Sequence, residues 1–145
     1  MSAVLTPSAP SLDPATVPGV SRRARLAGRV LSGIAVLFLA VDTLGKLARP
    51  AAVIAGSAEL GFAAHHVPIL GVIEVVCLLL YLVPRTAPLG AVLWTGYLGG
   101  AIATHLRLDN PLFTHLLFPI YVAAFLWGGL YLRDLRVRAL LAPAR

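Results

Sequence analysis

Charge is what this chain has least of. Charged residues make up 12% of its 145 residues, roughly half the share usual in soluble domains. A soluble protein of this size needs a polar surface that so few charges cannot supply. Cysteine is nearly absent as well. Cys77 stands alone, which excludes an intrachain disulfide and a Cys-x-x-Cys redox pair. A serine nucleophile motif, a phosphate-binding glycine loop and a Rossmann fingerprint are missing. Four histidines are present, but without a spacing recognisable as a zinc or iron site.

What the chain does have is long apolar runs, in 59% hydrophobic residues. Four of them cover about residues 26–47, 67–83, 87–106 and 113–132. At about 1.5 Å per residue, runs of about 17 to 20 residues reach about 26 to 30 Å, enough to cross a hydrocarbon core. The expected fold is all-α: an integral membrane bundle of four helices running up-down-up-down over residues 25–140. The tight turn Pro84-Arg85-Thr86-Ala87-Pro88 and the short loop 107–111 make successive spans antiparallel neighbours. Residues 1–24, with four prolines before Gly19, read as a disordered cytoplasmic tail. Residues 141–145 read as a short C-terminal tail.

The net charge of +6 is distributed like that of a membrane protein and gives no footprint for nucleic acid. Nine of the twelve basic residues (Arg22, Arg23, Arg25, Arg29, Arg85, Arg133, Arg136, Arg138 and Arg145) fall on the side shared by both termini and the second loop. Lys46, Arg49 and Arg107 fall on the other. The asymmetry places both termini in the cytoplasm of a multi-pass cell-membrane protein, with its basic groups near anionic lipid headgroups. Ser21-Arg22-Arg23 also looks like a twin-arginine signal. The run behind it ends in Asp42 and Lys46 without a small-x-small cleavage site, so a retained first helix is the better reading.

Residues 51–66 are too short and too polar to span and are expected to lie at the outer interface as a short helix. Pro119 falls inside the fourth run, and 14 residues from there to Leu132 reach only about 21 Å. That helix should therefore start earlier and kink at Pro119. The spacing of Gly96 and Gly100, and the pair Gly128-Gly129, predict close helix packing.

The polar side chains of the apolar runs crowd toward the outer end. Asp42, Lys46, Glu74, Tyr97, Thr104, His105 and His115 are the candidate pocket residues, because ionisable groups within lipid are costly and mark function. Asp42 and Lys46 lie one helical turn apart and can pair. Glu74 lacks a local cation, so it needs a partner from another helix, with Lys46 and His105 as the candidates, or must be protonated. Glu74 and His105 are expected to line one cavity within hydrogen-bond reach, directly or through one water.

Several stretches carry a family resemblance. Gly71-Val-Ile-Glu74, Leu82-Val-Pro-Arg-Thr86, Leu89-Gly-Ala91, the long run from Thr95 to Arg107, and Leu130-Tyr-Leu-Arg-Asp134 are similar to the DoxX-like membrane proteins over about residues 28–140. The resemblance implies a mostly bacterial four-helix membrane protein. The wider DoxX group is named for a small membrane subunit linked to thiosulfate–quinone oxidoreduction, with redox partners for some members. It implies no settled activity for this branch. The reading taken from it is an accessory membrane subunit with an outer-side pocket for a quinone-like or other apolar small molecule. Quinone carbonyls would take donors from Tyr97, Thr104 and His105. No built-in cofactor or metal is expected. Partners are the bilayer, a redox protein and a second copy of the chain. Two alternatives use Glu74 and Asp42: a membrane enzyme acting on a lipid-like substrate by carboxylate acid–base chemistry, or a small proton-coupled transporter.

Overall fold

Ser21 starts the first helix. Its hydroxyl oxygen accepts a 3.2 Å hydrogen bond from the Ala24 N–H, capping α1 (Arg22–Ala48). The helix thus begins inside the segment read as tail. The computed structural model describes residues 19–141; residues 1–18 of that tail and residues 142–145 lie outside the described residues. Arg49 closes α1 in the left-handed conformation (φ 56°), and Pro50 follows. Then come α2 (Ala51–Glu59), α3 (His66–Leu82) and α4 (Ala87–Arg107). A π-helical turn (Leu112–Leu116) leads into α5 (Phe118–Arg133) and α6 (Leu135–Leu141). The described residues contain no strand.

The expected kink at Pro119 is instead a break and a restart. Pro119 occupies the first turn of α5, where its missing N–H leaves nothing unsatisfied. The residues ahead of it take wider bonding, with the Leu117 N–H donating to the Leu112 carbonyl at 2.9 Å. The turn and α5 together still form one apolar segment of 22 residues.

α1 packs mainly on α5 and α3, α3 on α4, and α4 on α5. The end of α1, the start of α3, the end of α4 and the start of α5 therefore meet at one level. The inner face of α1 is mostly small and partly polar: the helix buries Gly28, Ser32, Ala35, Leu39 and Thr43 against larger residues such as Trp94 and Leu126, while Leu26, Leu37, Val41 and Leu44 point outward. Small inside and large apolar outside suits lipid as the surrounding solvent. Two segments, Arg22–Ala48 and Leu112–Arg133, are long and apolar enough to cross a membrane, and α3 is a shorter apolar helix of 17 residues.

Glycines set the closest approaches, though not all the expected ones. A Cβ on Gly129 would meet the Gly28 carbonyl at 2.9 Å and collide with Ser32. Gly90 lies against the backbone of Leu80 and Tyr81. Gly96 and Gly100, by contrast, have open space where a Cβ would go. Their spacing does not mark a helix contact within the chain, because that face of α4 borders a cavity. At the other end, the Tyr81 hydroxyl donates to the Leu126 carbonyl and bonds the Ser32 hydroxyl, both at 2.9 Å. This joins α1, α3 and α5.

Candidate functional site

Where the four helix ends meet, a cavity of about 440 Å³ opens between α1, α4 and α5. Its walls are apolar: Phe38 and Leu39 from α1, Leu98 and Ala101 from α4, and Phe118, Pro119 and Val122 from α5. Phe38 and Phe118 meet edge to face at 5.0 Å, a pair made possible by the restart of α5 beside Pro119. The segment after α1 covers one side with Ser57, Leu60 and Phe62. It is held there by Arg107, whose guanidinium donates to the Leu60 carbonyl at 3.0 Å. Gly61 stands at φ 85°, beside that guanidinium, and this left-handed conformation favours glycine.

Five of the seven candidate pocket residues line this cavity: Asp42, Lys46, Tyr97, Thr104 and His105. Lys46 is the hub. Its ammonium pairs with Asp42 one turn earlier on α1 and with Glu74 Oε1 across the helix interface at 2.8 Å. Gly71 makes that reach possible. A Cβ at Gly71 would stand 3.2 Å from Lys46 Cβ, so the glycine lets α1 approach α3 one turn before Glu74. Glu74 is sealed, with 0% exposure, while the Asp42 side chain is 42% exposed. The ammonium is close enough to Glu74 for an ion pair without being aligned as a hydrogen bond, and neither carboxylate oxygen has a hydrogen-bond partner.

Glu74 and His105 do not line one cavity and make no direct hydrogen bond: His105 is in the lining and Glu74 is not. Glu74 is met by Lys46, and the Tyr97 hydroxyl also faces it without hydrogen-bond geometry. His105 turns instead to Asn110, whose amide nitrogen lies 2.9 Å from Nδ1. An amide nitrogen can only donate, so Nδ1 accepts and the ring proton sits on Nε2. His115 stands beside His105, ring centroids 5.3 Å apart, and its Nδ1 bonds the Thr114 hydroxyl at 2.8 Å. It is not part of the cavity lining. Among the described residues, no group of three or more His, Cys, Asp or Glu converges as metal ligands would.

Sequence reasoning did not foresee the cover of Ser57, Leu60 and Phe62, nor the aromatic wall of Phe38 and Phe118. A faint signal existed in Leu60 and Phe62, large apolar residues close to Ser57 and Glu59 on the connector. Beyond the helices, Asp134 is held below the usual carboxylate range by its hydrogen bonds with Arg136. Arg136 also donates to the Pro84 carbonyl at 2.8 Å, tying the turn after α3 to the start of α6.

The family model described as the DoxX-like family matches residues 30–129. The chain belongs to the DoxX-like family. The match runs from Val30 on α1 to Gly129 on α5, so every candidate residue of this DoxX-like chain lies inside it. Comparison with curated proteins gives no match, and comparison with solved structures gives none.

Proposed function

We propose that this DoxX-like chain is a multi-pass membrane protein that holds an apolar small molecule in the cavity between α1, α4 and α5, serving as an accessory membrane subunit. In this reading α1, α3, α4 and α5 with its preceding turn form an up-down four-helix bundle. Both termini lie in the cytoplasm and the cavity in the outer half, because nine basic residues gather on the opposite side. The observation that carries it is the cavity: about 440 Å³, within the roughly 300–1,000 Å³ of small-molecule sites, with apolar walls and polar groups gathered at one end. A quinone-like ring is one occupant of suitable shape, with His105 Nε2 as a donor to a carbonyl. A redox protein or a second copy of the chain would then dock on the membrane-embedded subunit.

Photoaffinity labelling tests this reading. A diazirine-bearing quinone analogue and a diazirine-bearing aryl-alkyl amine, applied to membranes holding the full chain, should label Phe38–Lys46 and Gly96–His105. Ala101→Trp, which fills the cavity, should abolish the label. Labelling spread evenly over the lipid-facing residues, and unchanged by Ala101→Trp, would refute a binding cavity.

A second reading rests on Glu74, fully buried beside Lys46. A membrane enzyme or a proton-coupled transporter would use that carboxylate to move a proton. Turnover or uptake lost in Glu74→Gln, with ligand binding retained, would favour it.

A further inference from the structure

The polar end of the cavity has more acceptors than donors. Lys46 supplies one positive charge to two carboxylates. Glu74 is fully buried outside the cavity lining, with Lys46 and Tyr97 against it, so the carboxylate presented to a ligand is that of Asp42. Thr104 spends its hydroxyl proton on the Gly100 carbonyl at 2.9 Å, leaving its oxygen free only to accept. The remaining lining donors are His105 Nε2 and, on the cover, the Ser57 hydroxyl, which also accepts. Tyr97 is turned to Glu74, and Arg107 is spent on the Leu60 carbonyl and does not line the cavity.

We propose that the cavity selects a lipophilic organic cation: a primary or secondary ammonium whose N–H groups meet the Asp42 carboxylate and the Thr104 oxygen, on an apolar body lying against Phe38, Phe118 and Val122. This rests on the reading of the cavity as a small-molecule site and names the chemistry of its head group. Charge decides the selection. A neutral head leaves Asp42 sharing Lys46 with Glu74, whereas an ammonium gives each carboxylate its own cation. A net charge of one sign in a site walled by apolar side chains is costly until it is balanced. A quinone carbonyl adds a further acceptor to a site already short of donors.

The test compares three probes of similar apolar bulk on the full chain in mild detergent at pH 7: an aryl-alkyl primary amine, the alcohol of the same skeleton, and a short-tailed quinone. Binding is read by calorimetry and corrected for partition into protein-free micelles. The amine is expected to bind at least about tenfold more tightly than the alcohol, the size of one charge-assisted hydrogen bond. Asp42→Asn should bring the ratio close to one, because it removes the charge that favours the amine, and Asp42→Glu should restore the preference. The wild-type ratio stands without any variant. Alcohol or quinone binding as tight as the amine overturns the charge selection and leaves the cavity reading intact. No saturable binding of any of the three overturns both.

Discussion

Removing Lys46 should do far more damage than removing Glu74, although the two form one ion pair. At 2.8 Å and an effective dielectric of about 20, the attraction is about 6 kcal/mol before desolvation is counted. Most of that is offset by the burial of Glu74, at 0% exposure. Glu74→Gln removes the attraction and the burial cost together, and Lys46 keeps Asp42 as partner. Its stability should stay within about 1 kcal/mol of the wild type. Lys46→Met leaves the buried Glu74 carboxyl without its cation, at a cost of about 3–5 kcal/mol. The double variant Lys46→Met with Glu74→Gln should recover part of that loss, which is the coupling between the two. Unfolding in mixed micelles by increasing dodecyl sulfate, followed by the fluorescence of Trp94 and Trp127, gives the four stabilities. Lys46→Met no more destabilising than Glu74→Gln would refute the charge arrangement.

Gly129→Ala should cost about 1–3 kcal/mol, because its methyl would strike Ser32 and the Gly28 carbonyl. Gly96→Ala, with open space at its Cβ, should be neutral or stabilise by up to about 1 kcal/mol through helix propensity; the same unfolding titration checks both. Tyr81→Phe removes the bonds to Ser32 and the Leu126 carbonyl and should cost about 1–2 kcal/mol. Asp134 has a folded pKa below its unfolded value through its bonds to Arg136. Its contribution is therefore complete above the unfolded pKa and is lost as pH falls through the folded one. Melting temperature followed downward from pH 5 should fall more steeply in the wild type than in Asp134→Asn. Parallel curves would show that the pair does not tie down the start of α6.

The helices were readable because apolar length is a property of composition. Bounds of 67–83 and 87–106 in the sequence become His66–Leu82 and Ala87–Arg107 in the fold. The Asp42–Lys46 pair was readable for a related reason, since i and i+4 share a face whatever surrounds the helix. Glu74 was ambiguous between Lys46 and His105 because its partner depends on how two helices are rotated against each other, and no local spacing encodes that. Gly71 settled the matter by admitting Lys46 at close range. The glycines of α4 misled for the same reason: small residues at i and i+4 permit a close approach, but another surface must come to use it. Pro119 announced an irregularity, and its place in the first turn of α5 turned a kink into a restart. The cover of the cavity depends on Arg107 reaching the Leu60 carbonyl 47 residues earlier, a contact between distant segments that no local pattern announces.

The central claim is that the space between α1, α4 and α5 is an occupied binding site in the native membrane. Native mass spectrometry of the full chain, extracted from its own membrane in mild detergent, measures this directly. The wild type is predicted to carry a small apolar molecule at one per chain, and Ala101→Trp to fly without it. Identical spectra for the two proteins would contradict the claim.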